Sequence, residues 1–327
     1  MNTELSDLPA LLTCWGVPPE ARLIPARGGT NNRTFLIDHG VDEWVLRISQ
    51  NLTPDQVRAE HRLLDRLQTA SLPFAVPLPL PALGGEFLVE TAAGPATLCN
   101  RLPGVRPELT GEPALQRFGR AVGQLSAALG HVPRQDAPQD WLTSRLVHPD
   151  AGDVGQLCHE LAAAGISSEL TRLLVGFEQG TWLTGVGAGL PVQVVHGDVA
   201  ASNVLADEGT GEVTAMLDFE IAGAELRVQD FVVALKQSGA LDAPDWQRRV
   251  IALARGYRSV QQLTDAETVA VPDLLRARAA GTVVWRAGRW RRGQVCLDDV
   301  AVRLRNLAAT DAWLAACGGT LRGLLRS

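Results

Sequence analysis

The run Val194-Val-His-Gly-Asp-Val-Ala-Ala-Ser-Asn-Val-Leu205, with Leu217-Asp-Phe-Glu220 twelve residues beyond it, decides how the chain is read. An apolar stretch delivers His196, Gly197 and Asp198 into a loop. Asn203 follows five residues after Asp198, a second apolar stretch begins at once, and Asp218 closes the next one. Moving a phosphoryl group onto a hydroxyl needs these residue types. A carboxylate must orient the hydroxyl and accept its proton, a task suited to Asp198. Hard oxygen ligands must hold Mg2+ against the phosphates, a task suited to Asn203 and Asp218. An isolated Asp-x4-Asn is an ordinary loop, and His196 alone reads as a structural histidine. The weight lies in the combination and its spacing.

Working outward, the front of the chain reads as strand-rich. Short strand-like runs cover Ala21–Ala26 and Arg33–Asp38, and between them lies Gly28-Gly-Thr-Asn-Asn32, a strong turn signal. Glycines there let the backbone approach phosphates, and free N–H groups can cradle them. Taken by itself the segment is a hairpin turn, and it lacks a complete G-x-G-x-x-G. No Walker A pattern occurs anywhere. Glu43–Ser49 is a third strand. Ser6 is positioned to cap a short helix over Asp7–Trp15. Thr53 caps another with Pro54 at its first position, running to about Thr69. After a proline-rich passage, Pro73–Pro81, two more strands follow at Glu86–Thr91 and Ala96–Arg101. Helical spacing then dominates, over Leu115–Leu129, Ser167–Leu183, Arg227–Leu235, Asp245–Tyr257, Pro272–Arg292 and Val295–Cys317, interrupted by a strand-loop-strand region from Pro191 to Phe219.

His196-Gly-Asp-x4-Asn203 with Asp218-Phe-Glu220 resembles the aminoglycoside phosphotransferase and choline kinase superfamily, which shares the protein-kinase fold. That superfamily replaces the protein kinases' His-Arg-Asp with His-Gly-Asp and varies the last residue of Asp-Phe-Gly. The resemblance runs from Arg27 to Asp230 and implies an α+β bilobal protein-kinase-like fold. A small strand-rich nucleotide-binding lobe is expected over 1–101, and a larger, mainly helical lobe with the catalytic loop and acceptor site over 102–327. It implies ATP and Mg2+ in the cleft, Asp198 as catalytic base, and Asn203 and Asp218 as metal ligands. Gly28, Gly29, Thr30, Asn31, Asn32 and Arg47 would hold the nucleotide phosphates. Arg47 stands in Val45-Leu-Arg47-Ile, where kinases carry a lysine. It keeps the charge with a different donor geometry, and a Val-Leu-Arg stretch is similar to the homoserine-kinase-like branch. Glu60 would be its partner, and both residues also read as a surface ion pair. Leu98 to Asn100 resembles the hinge that meets the adenine, and Asp230 an aspartate that braces the catalytic loop. Trp285, Arg286, Arg289, Trp290, Arg291 and Arg292 form an aromatic and basic run. It reads either as an anion-binding wall for a carboxylate or phosphate substrate, or as packing and solvated charge.

Composition limits the partners. The net charge of −6 offers no global attraction for nucleic acid or an anionic membrane, and no window approaches a membrane span. Cys14, Cys99, Cys158, Cys296 and Cys317 are scattered and lack metal-ligand spacing, which fits reduced thiols in a cytoplasmic protein. The expected partner is a small molecule bearing a hydroxyl. Three alternatives compete. A catalytically silent nucleotide-binding scaffold draws on Arg47 and the incomplete glycine loop. An atypical protein kinase has little room for peptide docking between Asp218 and Asp230. A metal-dependent hydrolase lacks a second histidine near His196.

Overall fold

Strand β1 (Arg22–Pro25) pairs antiparallel with β2 (Asn32–His39), and β2 with β3 (Asp42–Ser49). These belong to a five-stranded antiparallel sheet ordered β1-β2-β3-β5-β4, completed by β4 (Val89–Thr91) and β5 (Gly94–Asn100). The computed structural model describes residues 8–26, 32–140, 149–175 and 188–326. Alternation in β2 and β3 turns Phe35, Ile37, Leu46 and Ile48 to one face. There they close a small core with Leu8 and Leu12 of helix α1 (Leu8–Leu12). The start expected at Ser6 lies outside the described residues. A 3-10 turn, Thr13–Trp15, ends on Gly16 in the left-handed region.

Helix α2 (Pro54–Thr69) begins and ends as its capping signals dictate. The Thr53 hydroxyl accepts from Gln56 N–H while the Gln56 amide accepts from Thr53 N–H, a reciprocal cap with Pro54 at the first helical position. Its apolar residues Leu63, Leu64 and Leu67 join the large core of the C-terminal part, so α2 lies between the two parts.

That large core is organised by α3 (Glu112–Leu129) and a later helix, α7 (Trp246–Arg258). The two approach at backbone contact. A Cβ on Gly256 would stand 2.0 Å from the Gln116 carbonyl oxygen, and one on Gly119 2.2 Å from that of Leu253. Between them in sequence come β6 (Gln139–Asp140), α4 (Val154–Ala163) and α5 (Ser168–Thr171). Strands β7 (Val192–Val195), β8 (Val204–Ala206), β9 (Val213–Met216) and β10 (Gly223–Leu226) follow, and then α6 (Gln229–Gln237). Strands β6, β10 and β7 form one small sheet, and β8 with β9 a hairpin. Helices α8 (Asp265–Arg291) and α9 (Leu297–Arg326) close the fold. With α4 they enclose a separate core around Leu157, Leu161, Val283, Val284, Val300 and Leu304.

Several elements depart from expectation. Helix α8 starts seven residues before Pro272, because Thr264 and Glu267 form a second reciprocal cap whose signal outweighs the proline. Helix α9 runs past Gly318 and Gly319 to Arg326, with Gly318 seated against Pro272. The helix expected over Ser167–Leu183 is short: α5 passes into a 3-10 turn at Arg172–Leu174, and 176–183 lie outside the described residues. Helix α4 and strand β10 were not anticipated from periodicity; α4 is capped by the Asp153 side chain.

Candidate active site

Two antiparallel pairs converge on the motif residues. In the first, Val204 pairs with Met216, so Asn203, just before β8, faces Leu217, just after β9. The Leu217 N–H donates to the Asn203 carbonyl at 2.8 Å and closes the mouth of the hairpin. In the second, Val195 pairs with Gly223, which sets His196 and Gly197 beside the chain that leaves Glu220. Antiparallel register thus brings residues twenty positions apart to one mouth.

The loop between these pairs is held from below. The Asp230 carboxylate accepts from His196 N–H at 2.9 Å and from Gly197 N–H at 2.8 Å, and it is fully buried. His196 is itself buried, against Phe219 with ring centroids 4.4 Å apart. Its Nδ1 lies 3.2 Å from Asp198 N–H and its Nε2 2.9 Å from the Leu217 carbonyl. Nδ1 therefore accepts and Nε2 carries the proton, so one imidazole ties Asp198 to the segment leading into Asp218. Gly197 has φ +80°, a conformation that favours glycine.

Asp198 emerges with its side chain one-third exposed at 33%. Its Oδ2 accepts from Asn203 Nδ2 at 3.1 Å, and the Asp198 carbonyl accepts from the same amide at 3.0 Å. Its Oδ1 accepts from Arg278 Nη2 at 2.8 Å. Asp218 adopts φ +66°, a left-handed conformation unusual outside glycine, and so carries local backbone strain. Its Oδ1 is buried with no hydrogen-bond partner among the described residues. Burial, and then the negative charge of Glu220, push this carboxyl well above the usual range. Arg47 opposes the shift, while Glu60 and Asp198 add to it.

The side of the cleft expected to hold the nucleotide is built around Arg47. Its Nη2 donates to Glu60 Oε2 at 2.6 Å, with Arg47 17% and Glu60 1% exposed. Burial works against the arginine's charge, but Glu60, with Asp218 and Glu220, outweighs it and the net shift is upward. The arginine therefore holds the β3-to-helix pairing that a lysine would make. Next on α2, His61 is pushed down to about 4 chiefly by burial, so it adds no charge at neutral pH. Asn32, at the start of β2, donates from Nδ2 to Glu220 Oε2 at 2.6 Å, joining the end of the glycine loop to Asp218-Phe-Glu220. Gly28, Gly29, Thr30 and Asn31 lie outside the described residues.

The structure does not bring Leu98 into this group. Leu98 is buried in the small core at 1% exposure, and its carbonyl accepts from Leu80 N–H at 2.7 Å. Asn100 ends the inner strand β5, opposite Trp44. The basic run divides. Arg291 donates to Glu160 and to the Asp150 carbonyl at 3.0 Å, and Arg292 donates to Asp150 and Asn51, so both tie elements together. Trp290 packs on the core shared by α4, α8 and α9. Arg289 is buried at 4%, within electrostatic range of Glu220, and Arg286 is half-buried near Arg303 and Asp299. Arg278, thirteen residues upstream of Arg291, was missed in sequence because no local pattern marks one arginine of a long helix.

These residues fit a divalent cation. An orphaned carboxylate oxygen on Asp218 sits among the negative charges of Glu220, Glu60 and Asp198. Asn203 spends its amide N–H groups on Asp198, and its Oδ1, which accepts from Ser202 Oγ at 3.4 Å, is the atom that could face a cation. Among the described residues no three His, Cys, Asp or Glu side chains form a complete metal site. A cation here would need the nucleotide phosphates to complete its shell, as Mg2+ commonly does.

The family model for the phosphotransferase enzyme family matches residues 22–266. The chain belongs to that family. Similar curated proteins include a homoserine kinase of Cupriavidus metallidurans, 29% identical over 269 residues, covering 78% of this chain and 77% of that protein. Another, from Acidiphilium cryptum, is 27% identical and covers 88% of both chains. Among solved structures, a microcompartment-associated aminopropanol kinase superposes with a TM-score of 0.71 at 21% identity, covering 98% of this chain and 99% of that one. An amicoumacin kinase, solved with AMP-PNP, Ca2+ and its ligand, gives 0.72 at 17% identity, covering 95% and 94%. An aminoglycoside 2'-phosphotransferase gives 0.68 at 16% identity, covering 95% and 100%. This phosphotransferase therefore has a protein-kinase-like α+β fold, and its reaction class is ATP-dependent phosphoryl transfer to a hydroxyl. Among the described residues no helix is long and apolar enough to cross a membrane.

Proposed function

We propose that this phosphotransferase moves the γ-phosphoryl group of ATP, with Mg2+, onto the hydroxyl of a small amino-acid-like acceptor of the homoserine kind. The observation that carries the reading is the convergence of Asp198, Asn203 and Asp218 at one hairpin mouth, with Asp218 strained and its Oδ1 orphaned. Asp198 orients the acceptor hydroxyl and takes its proton. Asn203 and Asp218 hold the cation, and bound Mg2+ supplies charge neutralisation on the phosphate oxygens. Arg47, kept in place by Glu60, and the 28–32 loop hold the phosphates. Because the Leu98 carbonyl is already engaged, the adenine contacts fall to backbone groups around Asn100 and beyond. The same reading takes 1–101 as the nucleotide lobe and 102–327 as the acceptor lobe, with α2 lodged between them, in a cytoplasmic setting consistent with five free cysteines.

The homoserine kinases among the relatives support the acceptor class. The test is ADP release with ATP and Mg2+ across homoserine, choline, ethanolamine, methylthioribose, simple sugars and aminoglycosides. Homoserine-type acceptors should give the highest kcat/KM. Preference for choline or an aminoglycoside would overturn the acceptor assignment while leaving the reaction class intact.

A further inference from the structure

The segment between Asp198 and Asn203 reads Val-Ala-Ala-Ser and carries no cation. The cleft around it is rich in carboxylates: Glu220, Glu60 and Asp198 each act electrostatically on Asp218. Arg47 is committed to Glu60 on the nucleotide side. The charge that reaches Asp198 comes instead from Arg278, eighty residues downstream on α8. That helix is anchored to the same strands that present the catalytic loop. Arg227, directly after β10, donates from Nε to Glu267 Oε1 at 2.9 Å, and Glu267 is the residue that caps the start of α8. Three helical turns further on, Arg278 extends over the loop, and its own carbonyl accepts from Thr282 Oγ1 at 2.9 Å. Its Nε is buried without a hydrogen-bond partner among the described residues, so the donor spent on Asp198 is Nη2.

We propose that Arg278 is a positioning residue for phosphoryl transfer: it holds Oδ1 of Asp198 while Asn203 holds Oδ2, so the carboxylate meets the acceptor hydroxyl already oriented. The inference rests on the assignment of Asp198 as base. In the transfer, the acceptor O–H proton passes to Asp198 and the acceptor oxygen bonds to the γ-phosphorus. The bond from that phosphorus to the β–γ bridging oxygen breaks, and ADP leaves. Arg278 neither gains nor loses a proton; it fixes the carboxylate that does. It also reserves Asp198 for the acceptor, since an unpinned carboxylate beside Asp218 would be drawn to the divalent cation as a further ligand.

The experiment measures ADP release with ATP, Mg2+ and L-homoserine for wild type, Arg278→Ala, Arg278→Lys, Asp198→Asn and the Asp198→Asn/Arg278→Ala double variant, with melting temperatures recorded throughout. Arg278→Ala should lower kcat about 10- to 100-fold, with KM for ATP within about twofold of wild type. Arg278→Lys should recover part of the loss, and millimolar guanidinium should restore Arg278→Ala more than Arg278→Lys. In the Asp198→Asn background, removing Arg278 should cost almost nothing further, because its effect passes through Asp198. Mn2+ binding to the ADP complex, followed by paramagnetic resonance, should tighten or change its signal in Arg278→Ala. Unchanged kcat in a folded Arg278→Ala, or an equal loss in both backgrounds, would overturn the proposal. A wild-type protein that released no ADP with any acceptor of the wider panel would overturn the assignment of Asp198, and this proposal with it.

Discussion

Two arginine–carboxylate pairs flank the cleft, and they are built differently. On the nucleotide side Arg47 meets Glu60 thirteen residues away, and both side chains are largely buried, at 17% and 1% exposure. On the acceptor side Arg278 meets Asp198 across eighty residues, and the carboxylate is 33% exposed. The first pair joins a strand to the next helix and can persist through a reaction cycle. The second involves the carboxylate proposed to receive the acceptor's proton, and it stays reachable at 33% exposure. A buried pair is costly to break because the survivor is left charged in a dry place, whereas a partly exposed one can exchange partners with little penalty. The Arg47–Glu60 pair is thus the harder of the two to break, and the Arg278–Asp198 pair orients a carboxylate that stays reachable from solvent.

Removing a charge from the floor of the cleft should break this comparison most sharply. Asp218→Asn should reduce turnover by about 100-fold or more, since one of two candidate metal ligands is lost. The same change should raise the melting temperature of the nucleotide-free protein at pH 7 by a few degrees, because the buried carboxyl is held at a cost. The sign follows from its raised pKa. Between the unfolded value of about 4 and the higher native one, the native protein binds more protons than the unfolded chain, so stability falls as pH rises through that interval. Melting curves recorded against pH should show that slope in wild type and a flatter one in Asp218→Asn. A variant that melts lower than wild type at every pH would contradict the burial cost assigned to the Asp218 carboxyl.

A smaller effect separates the two pairs directly. Glu60→Ala should destabilise the protein by about 3 kcal/mol in chemical denaturation, the cost of leaving Arg47 buried without its nearest partner. If stability were unchanged, Arg47 would have to be satisfied by Asp218 and Glu220, and the nucleotide side would be no more fixed than the acceptor side.

What could be read from sequence follows the same division. The catalytic loop was legible because its chemistry is compressed into short intervals: Asp198 to Asn203 is five residues, and Asp218 follows one hairpin later. The Arg47–Glu60 pairing was expected from the resemblance to the kinase strand-to-helix ion pair, and the structure forms it between the consecutive elements β3 and α2. Arg278 was not, since its partner lies eighty residues earlier and only tertiary packing of α8 unites them. The conspicuous run from Trp285 to Arg292 drew attention because it is dense, yet Arg291 and Arg292 brace loops. At Leu98, expected only from the hinge resemblance, the sequence does not announce that the Leu80 N–H donates to its carbonyl, because that pairing is tertiary. The start of α8 was obscured by Pro272, which marks a boundary in most sequences but lies two turns inside this helix, behind a stronger cap.

The measurement that tests the account most directly is acceptor-dependent ADP release by wild type and Asp198→Asn, run with the best acceptor of the panel and with ATP binding followed in parallel. The account predicts a loss of about 10²- to 10⁴-fold in kcat for the variant, with ATP affinity preserved and the fold intact. An Asp198→Asn protein that turned over at the wild-type rate would contradict it.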